Sequence, residues 1–235
     1  MFKNRIARLV CGAFFVCAAL QVLTLEALSE QIPNFSDPSV MSKFDDRIKN
    51  APADATGYEV RGFAYMQLQK YPNAISALSK AIELAPTFHA YDNRAAAYGC
   101  MRDWNALIAD ATKATLLNPR DSISFGNRAM AYNELGQFAQ AQADYLKAIH
   151  LNPSQATFYE GLGELLCKEK RYSSALEYLD RALEMNEKQG DAHYYRATAY
   201  KAIHRDADAA REFRRASALG YKPGQIGTGF SNQKF

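Results

Sequence analysis

Four histidines, His89, His150, His193 and His204, and two interior cysteines, Cys100 and Cys167, are the residues best suited to hold a metal, move a proton or attack a substrate. Their spacing supports none of that chemistry. No histidine stands in the H-E-x-x-H arrangement that places two imidazoles on one helix face, and none lies at metal-ligand spacing from a cysteine. Gly161 and Gly163 form a lone G-x-G, but it falls inside a helical pattern, where the second glycine already has a packing role. The chain has no phosphate-binding glycine loop and no G-x-S-x-G elbow. His193 lies in a column of aromatic residues and reads as a packed or surface side chain. The expectation is a protein that is not an enzyme, with no cofactor and no metal.

The elements around these residues account for most of the 235 positions. Hydrophobic residues make up 48% of the chain, enough for a continuous core and too many for global disorder. Ala and Tyr are abundant, and Gly and Pro are sparse away from the ends, which favours helices over sheet.

The N-terminus differs from the rest. In "MFKNRIARLVCGAFFVCAALQVLTLEALSE", Lys3, Arg5 and Arg8 precede an apolar run from Leu9 to about Leu25. Ala27 and Ser29 then provide small residues three and one positions before a cut at Glu30. This is the layout of a secretory signal peptide over residues 1–29. The alternative is an uncleaved membrane anchor, for which a run interrupted by Gln21 and Thr24 is short. Cleavage takes three bases from 28 and one acid from 25, leaving 25 against 24. So balanced a chain has no large positive field to collect nucleic acid or anionic membrane. The expected location is outside the cytoplasm, periplasmic or secreted, with a membrane-anchored protein as the alternative.

Internal repetition sets the architecture. Tyr65, Tyr98, Tyr132, Leu166 and Tyr200 recur at steps of 33, 34, 34 and 34 residues. A small residue stands three positions earlier each time: Gly62, Ala95, Ala129, Gly163 and Ala197. A large ring follows six positions later at Tyr71, Trp104, Phe138 and Tyr172, with Asp206 breaking the series. Leu78, Ala111, Tyr145, Leu179 and Phe213 form a further column, as do Ala81, Ala114, Ala148, Ala182 and Ala216. Pro86, Pro119 and Pro153 close the first three units. Within a unit the apolar positions fall three and four apart, so each half is an amphipathic helix. A Gly or Ala lets the two helices approach, and the ring fills the space beside it. One hairpin cannot bury its own apolar face, whereas stacked neighbours can. This frame separates Cys100 from Cys167 by two repeats, too far for a disulfide, so two free thiols are expected.

These columns resemble the tetratricopeptide repeat family over residues 55 to 221. The resemblance implies an all-α fold, a right-handed α-solenoid of about five stacked helix-turn-helix repeats at about 55–87, 88–121, 122–155, 156–189 and 190–221. Residues 30–54 read as a loose linker followed by one capping helix near Val40 to Asn50. The Gly-rich segment 222–235 reads as a flexible tail. Arg61, Arg94, Arg128 and Arg196 form a ladder with one gap at Leu162. An anion-binding row is one reading. The preferred reading is that the stems cover apolar surface and the heads find carboxylates, since the family often carries Asn-Arg there.

In a solenoid of this kind the first helices line a concave groove, the default surface for an extended peptide or a partner helix. The frame assigns to it Glu59, Phe63, Asp92, Asn93, Asn127, Met130, Glu134, Glu160, Glu164, Lys168 and Lys201. Acids outnumber bases, so a neutral to basic protein segment is the expected partner. "YDNRAAAY" (91–98) is similar to the centre of the clamp with which some family members grip a terminal carboxylate, with Asn93 in the asparagine place. Glu59, Phe63, Ile123 and Asn127 stand where that clamp needs other residues, so it is rejected. The resemblance, the leader and the absence of catalytic groups together lead to the expectation of a non-catalytic exported scaffold for protein–protein interaction, and the balanced charge to that of no nucleic acid partner. The alternative is a structural or self-associating component of an envelope complex, membrane-tethered if the leader is retained.

Overall fold

The structure, a computed structural model, describes residues 51–221 together with Ser42, Asp45, Asp46 and residues 48–50. The leader expected over residues 1–29, the start of the linker and the tail of 222–235 lie outside the described residues. Among those described, the chain is helical with no strand. It divides into two compact units, the first ending at Pro119 and the second beginning at Arg120.

The first unit contains α1 (Ala55–Gln67), α2 (Tyr71–Leu84), α3 (Phe88–Cys100) and α4 (Trp104–Leu117). The second contains α5 (Ser122–Glu134), α6 (Phe138–Leu151), α7 (Ala156–Lys168), α8 (Tyr172–Met185), α9 (Gly190–Ala202) and α10 (Asp206–Ala218). Consecutive helices pair into hairpins, α1 with α2 through α9 with α10, and within each unit successive hairpins stack. In the second unit the first helices also touch one another, α5 with α7 and α7 with α9. The ring column opens the second helices: Tyr71, Trp104, Phe138 and Tyr172 are their first residues. Pro86, Pro119 and Pro153 follow two residues after α2, α4 and α6 end, where a helix cannot continue. Residues 42, 45, 46 and 48–50 are also helical. Ile48 is buried, and Asp45 accepts from the Arg61 guanidinium on α1 at 3.0 Å.

Each hairpin turns through the same device. Gln69, Arg102, Gly136, Lys170 and His204 adopt left-handed backbone, with φ between 57 and 72°. The next residue's N–H then reaches back to the carbonyl of the tyrosine column, as from Lys70 to Tyr65 at 2.9 Å and from Arg171 to Leu166 at 2.8 Å. This six-residue closure satisfies a carbonyl that the helix end would otherwise leave open. Four of the five turns use a side-chain-bearing residue in a region that costs it about 1–2 kcal/mol. Capping at the other end is selective. Thr87 accepts from the Ala90 N–H at 3.0 Å and starts α3, and Asp121 accepts from Ser124 and starts α5.

The small-residue column sets how close the two helices of a hairpin lie. A Cβ at Gly163 would meet Leu179 Cγ at 2.5 Å, and one at Gly62 would meet Leu78 Cγ at 2.5 Å. Where the column carries Ala95, its partner on the second helix is Ala111, also fully buried. Both glycines of the column are therefore matched to leucines, whereas Ala95 is matched to an alanine. Gly163→Val is expected to cost about 1–3 kcal/mol by urea denaturation, because α7 must move off Leu179.

No described helix is long and apolar enough to cross a membrane.

Candidate partner-binding groove

In the first unit, Glu59 and Phe63 lie on α1, and Asp92 and Asn93 on α3. Glu59 Oε2 accepts from the Thr87 hydroxyl at 3.0 Å, tying α1 to the cap of α3. Phe63 is half-buried. Asp92 and Asn93 are only 3% and 8% exposed, so the surface offered here comes mainly from Glu59 and Phe63.

The second unit holds the other seven. Asn127 and Met130 are half-buried on α5, with Met130 packed onto the leucine-rich core of α7 and α8. Glu134 at the end of α5, Glu160, Glu164 and Lys168 on α7 come together. Lys168 Nζ lies 2.8 Å from Glu164 Oε1 and 3.3 Å from Glu134 Oε1. Lys201 is exposed near the end of α9.

This cluster has one cation among several acids. Loss of water raises the Glu160 carboxyl well above its ordinary range, and Asp191 and Glu164 push it further. Burial likewise raises Glu164, although Lys168 draws it partly back and the Tyr195 hydroxyl bonds to it. Burial disfavours the Lys168 ammonium, yet Glu164 and Glu134 outweigh that and hold its pKa above the usual value. The phenol of Tyr145 on α6 is raised by burial and then by the same three glutamates. Carboxyls so placed retain protons where exposed glutamates have lost theirs, and a cationic group arriving from outside can take the proton's place.

Asp191, Tyr145 and Tyr195 belong to this site and are absent from the sequence-based set. Asp191 sits in the first turn of α9, where an acid reads as a complement to the helix dipole. Tyr145 stands in a core column and reads as packing alone. Among the described residues no group of three or more His, Cys, Asp or Glu side chains is arranged to hold a metal ion.

The arginine ladder is internal. Arg94 grips Asp110 with two bonds of 2.7 and 2.8 Å, and Arg128 grips Asp144 with bonds of 2.7 and 2.9 Å. Arg196 bonds Glu212 at 2.6 Å and Asp180 at 2.8 Å. Each acid on the following helix stands 16 residues after its arginine, a spacing visible in the sequence. The α7–α8 hairpin fills the same two columns with Leu162 and Tyr178, both packed in the core cluster. The ladder therefore fastens hairpins and leaves little free charge for an external anion.

Residues 55–88 and 127–188 match models described as tetratricopeptide repeat. The human mitochondrial import receptor subunit TOM70 is 38% identical over 66 residues, which is 26% of this chain and 11% of the receptor. The chain thus spans only a small part of the curated relatives it matches. Among solved structures, pilF of Pseudomonas aeruginosa has a TM-score of 0.63 at 20% identity, covering 72% of this chain and 77% of its own. YrrB, described as a TPR protein with an unusual peptide-binding site, has a TM-score of 0.63 at 18% identity, covering 83% of this chain and all of its own. MamA superposes with a TM-score of 0.62 at 19% identity, over 70% of this chain and 91% of its own. At these identities the structures speak for the fold. With the sequence matches, they show that residues 55–88 and 127–188 are similar to tetratricopeptide repeats and that the described chain has the fold of stacked helical hairpins seen in tetratricopeptide repeat structures.

Proposed function

We propose that this protein is a non-catalytic, exported scaffold that binds a neutral to basic segment of a partner protein along its first helices, and that the cluster of Glu134, Glu160, Glu164 and Asp191 takes a cationic side chain of that segment. The observation that carries this reading is the excess of desolvated acids over Lys168 on α5, α7 and α9, helices that neighbour one another in the second unit. The leader-like N-terminus supports export, and the repeat fold supports a protein partner. The tetratricopeptide fold is a protein-interaction scaffold; nothing in the spacing of its histidines or cysteines suggests catalysis.

The test is photocrosslinking in cells from a photoreactive residue at Asn127 on α5, with a matched probe at Gln142 on α6. A protein trapped from Asn127 and not from Gln142 is the expected result. Glu160→Gln with Glu164→Gln should reduce that capture about tenfold or more, the loss of one charge-assisted contact. Because the incoming cation displaces a proton, capture should strengthen as pH rises. Equal capture by wild type and double variant at every pH would overturn the acidic site. Folding supplies a control with its own sign. The raised Glu160 carboxyl stabilises the fold below the ordinary glutamate pKa and loses that contribution as pH rises through the folded value, so Glu160→Gln flattens that slope.

A further inference from the structure

We infer that Arg61, with Lys80 beside it, is a binding site for the carboxylate of an acidic side chain supplied by a partner protein. The site lies in the first unit and is separate from the acidic cluster of the second.

The other arginines of the ladder define how such a residue is used. Arg94, Arg128 and Arg196 each turn Nε and Nη2 onto the acid 16 residues later, at distances between 2.6 and 3.2 Å. Nη1 is left for the preceding helix: from Arg94 it reaches the Ser79 hydroxyl and from Arg196 it reaches Asp180, both at 2.8 Å. Arg61 follows this pattern on one side only. Its Nη1 donates to Asp45, 16 residues earlier, at 3.0 Å, the same step that joins Arg196 to Asp180. Sixteen residues later stands Ala77, which has no acceptor to offer. Among the described residues the buried Arg61 Nε has no hydrogen-bond partner. A buried N–H without an acceptor is costly, and an incoming oxyanion would recover that cost.

The donors are already held as they are where an acid is present. The Tyr58 ring lies 5.2 Å from the Arg61 guanidinium, as Tyr91 and Phe125 lie 5.9 and 5.5 Å from those of Arg94 and Arg128. Each ring stands three residues before its arginine. Lys80 adds a second cation. It follows Ala77 by three residues on α2, the place from which Arg215 reaches Glu212 at 3.3 Å in the last hairpin. Lys80 donates to Glu83 at 2.8 Å, and Tyr58 also acts on its charge, which puts the ammonium near the ring under Arg61. The Arg61 and Lys80 side chains are 23% and 47% exposed, so the pair is open to solvent. A guanidinium fork fits a planar carboxylate, and three hairpins of this chain fill the same fork with one. A single exposed ion pair is weak, so the ligand is an acidic residue within a longer docked segment rather than a free small acid.

The experiment follows the Arg61 Nε–H resonance of the isotope-labelled full chain by NMR while acetate replaces chloride at constant ionic strength. A saturable shift at Arg61 is expected, with Arg94, Arg128 and Arg196 unmoved. The peptide acetyl-Gly-Asp-Gly-amide should give the same shift at no higher concentration than acetate, and its Asn counterpart none. Lys80→Ala should weaken the response about two- to fivefold, the range of an exposed ion pair. Ala77→Asp supplies the acid from within, so it should abolish the response and raise the urea midpoint. An unmoved Arg61, equal movement of all four arginines, or a full response in Ala77→Asp would overturn the inference. So would failure of that variant to fold, since Arg61 would then not face residue 77. A response to acetate but not to the Asp peptide would leave only a free small acid and overturn the partner reading.

Discussion

Glu212→Ala is expected to destabilise the second unit by about 3–5 kcal/mol, the cost of removing one member of a buried ionic cluster. Glu212 is 2% exposed. Its Oε2 accepts from Arg196 at 2.6 and 3.2 Å and lies 2.6 Å from His193 Nδ1, while Oε1 meets Arg215 at 3.3 Å. Burial opposes the charge, but the bonds from Arg196 and His193 prevail and hold the carboxyl below its usual range. Its removal leaves Arg196 with Asp180 alone on the neighbouring hairpin, and leaves His193 facing only the Glu187 carbonyl. The α9–α10 hairpin should loosen first, because α10 is the last described helix. Urea denaturation measures the loss, and amide exchange should show it concentrated in α10. A depressed carboxyl contributes stability above the ordinary glutamate pKa and loses it as pH falls through the folded value. The wild type should therefore show an acid-side decline that Glu212→Ala flattens. A variant within about 0.5 kcal/mol of wild type, the range of ordinary surface changes, would contradict this account.

Leu179→Ala is expected to cost about 2–5 kcal/mol, near the upper end. Leu179 is fully buried on α8 and rests on Gly163, which has no side chain to move into the space it leaves. The repeat supplies a specific rescue. In the α3–α4 hairpin the same two columns hold Ala95 and Ala111, both fully buried. Adding Gly163→Ala to Leu179→Ala recreates that pair, fills part of the cavity and replaces a helix-interior glycine, itself worth about 1 kcal/mol. In the wild-type background Gly163→Ala alone should destabilise by pressing on Leu179. A double-mutant cycle should thus give a favourable coupling of about 1 kcal/mol or more. Additive effects would mean that the hairpin does not adjust its spacing to these two residues.

The two predictions divide what could be read along the chain from what could not. The helix pairs were legible because apolar side chains recur at helical spacing and the columns recur every 33 or 34 residues, so the ring residues Tyr71, Trp104, Phe138 and Tyr172 mark where second helices begin. The arginine–acid pairs were half legible. Arg94, Arg128 and Arg196 stood out as a ladder, and the 16-residue step to Asp110, Asp144 and Glu212 was present in the sequence but has meaning only once a hairpin brings those positions face to face. The hairpin turns left no compositional trace, because Gln69, Arg102, Lys170 and His204 share a backbone conformation and not a side-chain chemistry. The acidic cluster depended most on the tertiary structure. The sequence determined that Glu134, Glu160, Glu164 and Lys168 lie on first helices. Packing decided that Lys168 serves two of those acids, that Asp191, Tyr145 and Tyr195 join them, and that Asp92 and Asn93 are buried. Helical periodicity assigns a residue to a face; how much water that face keeps is set by the neighbouring helices, and loss of water moves the charges of this site.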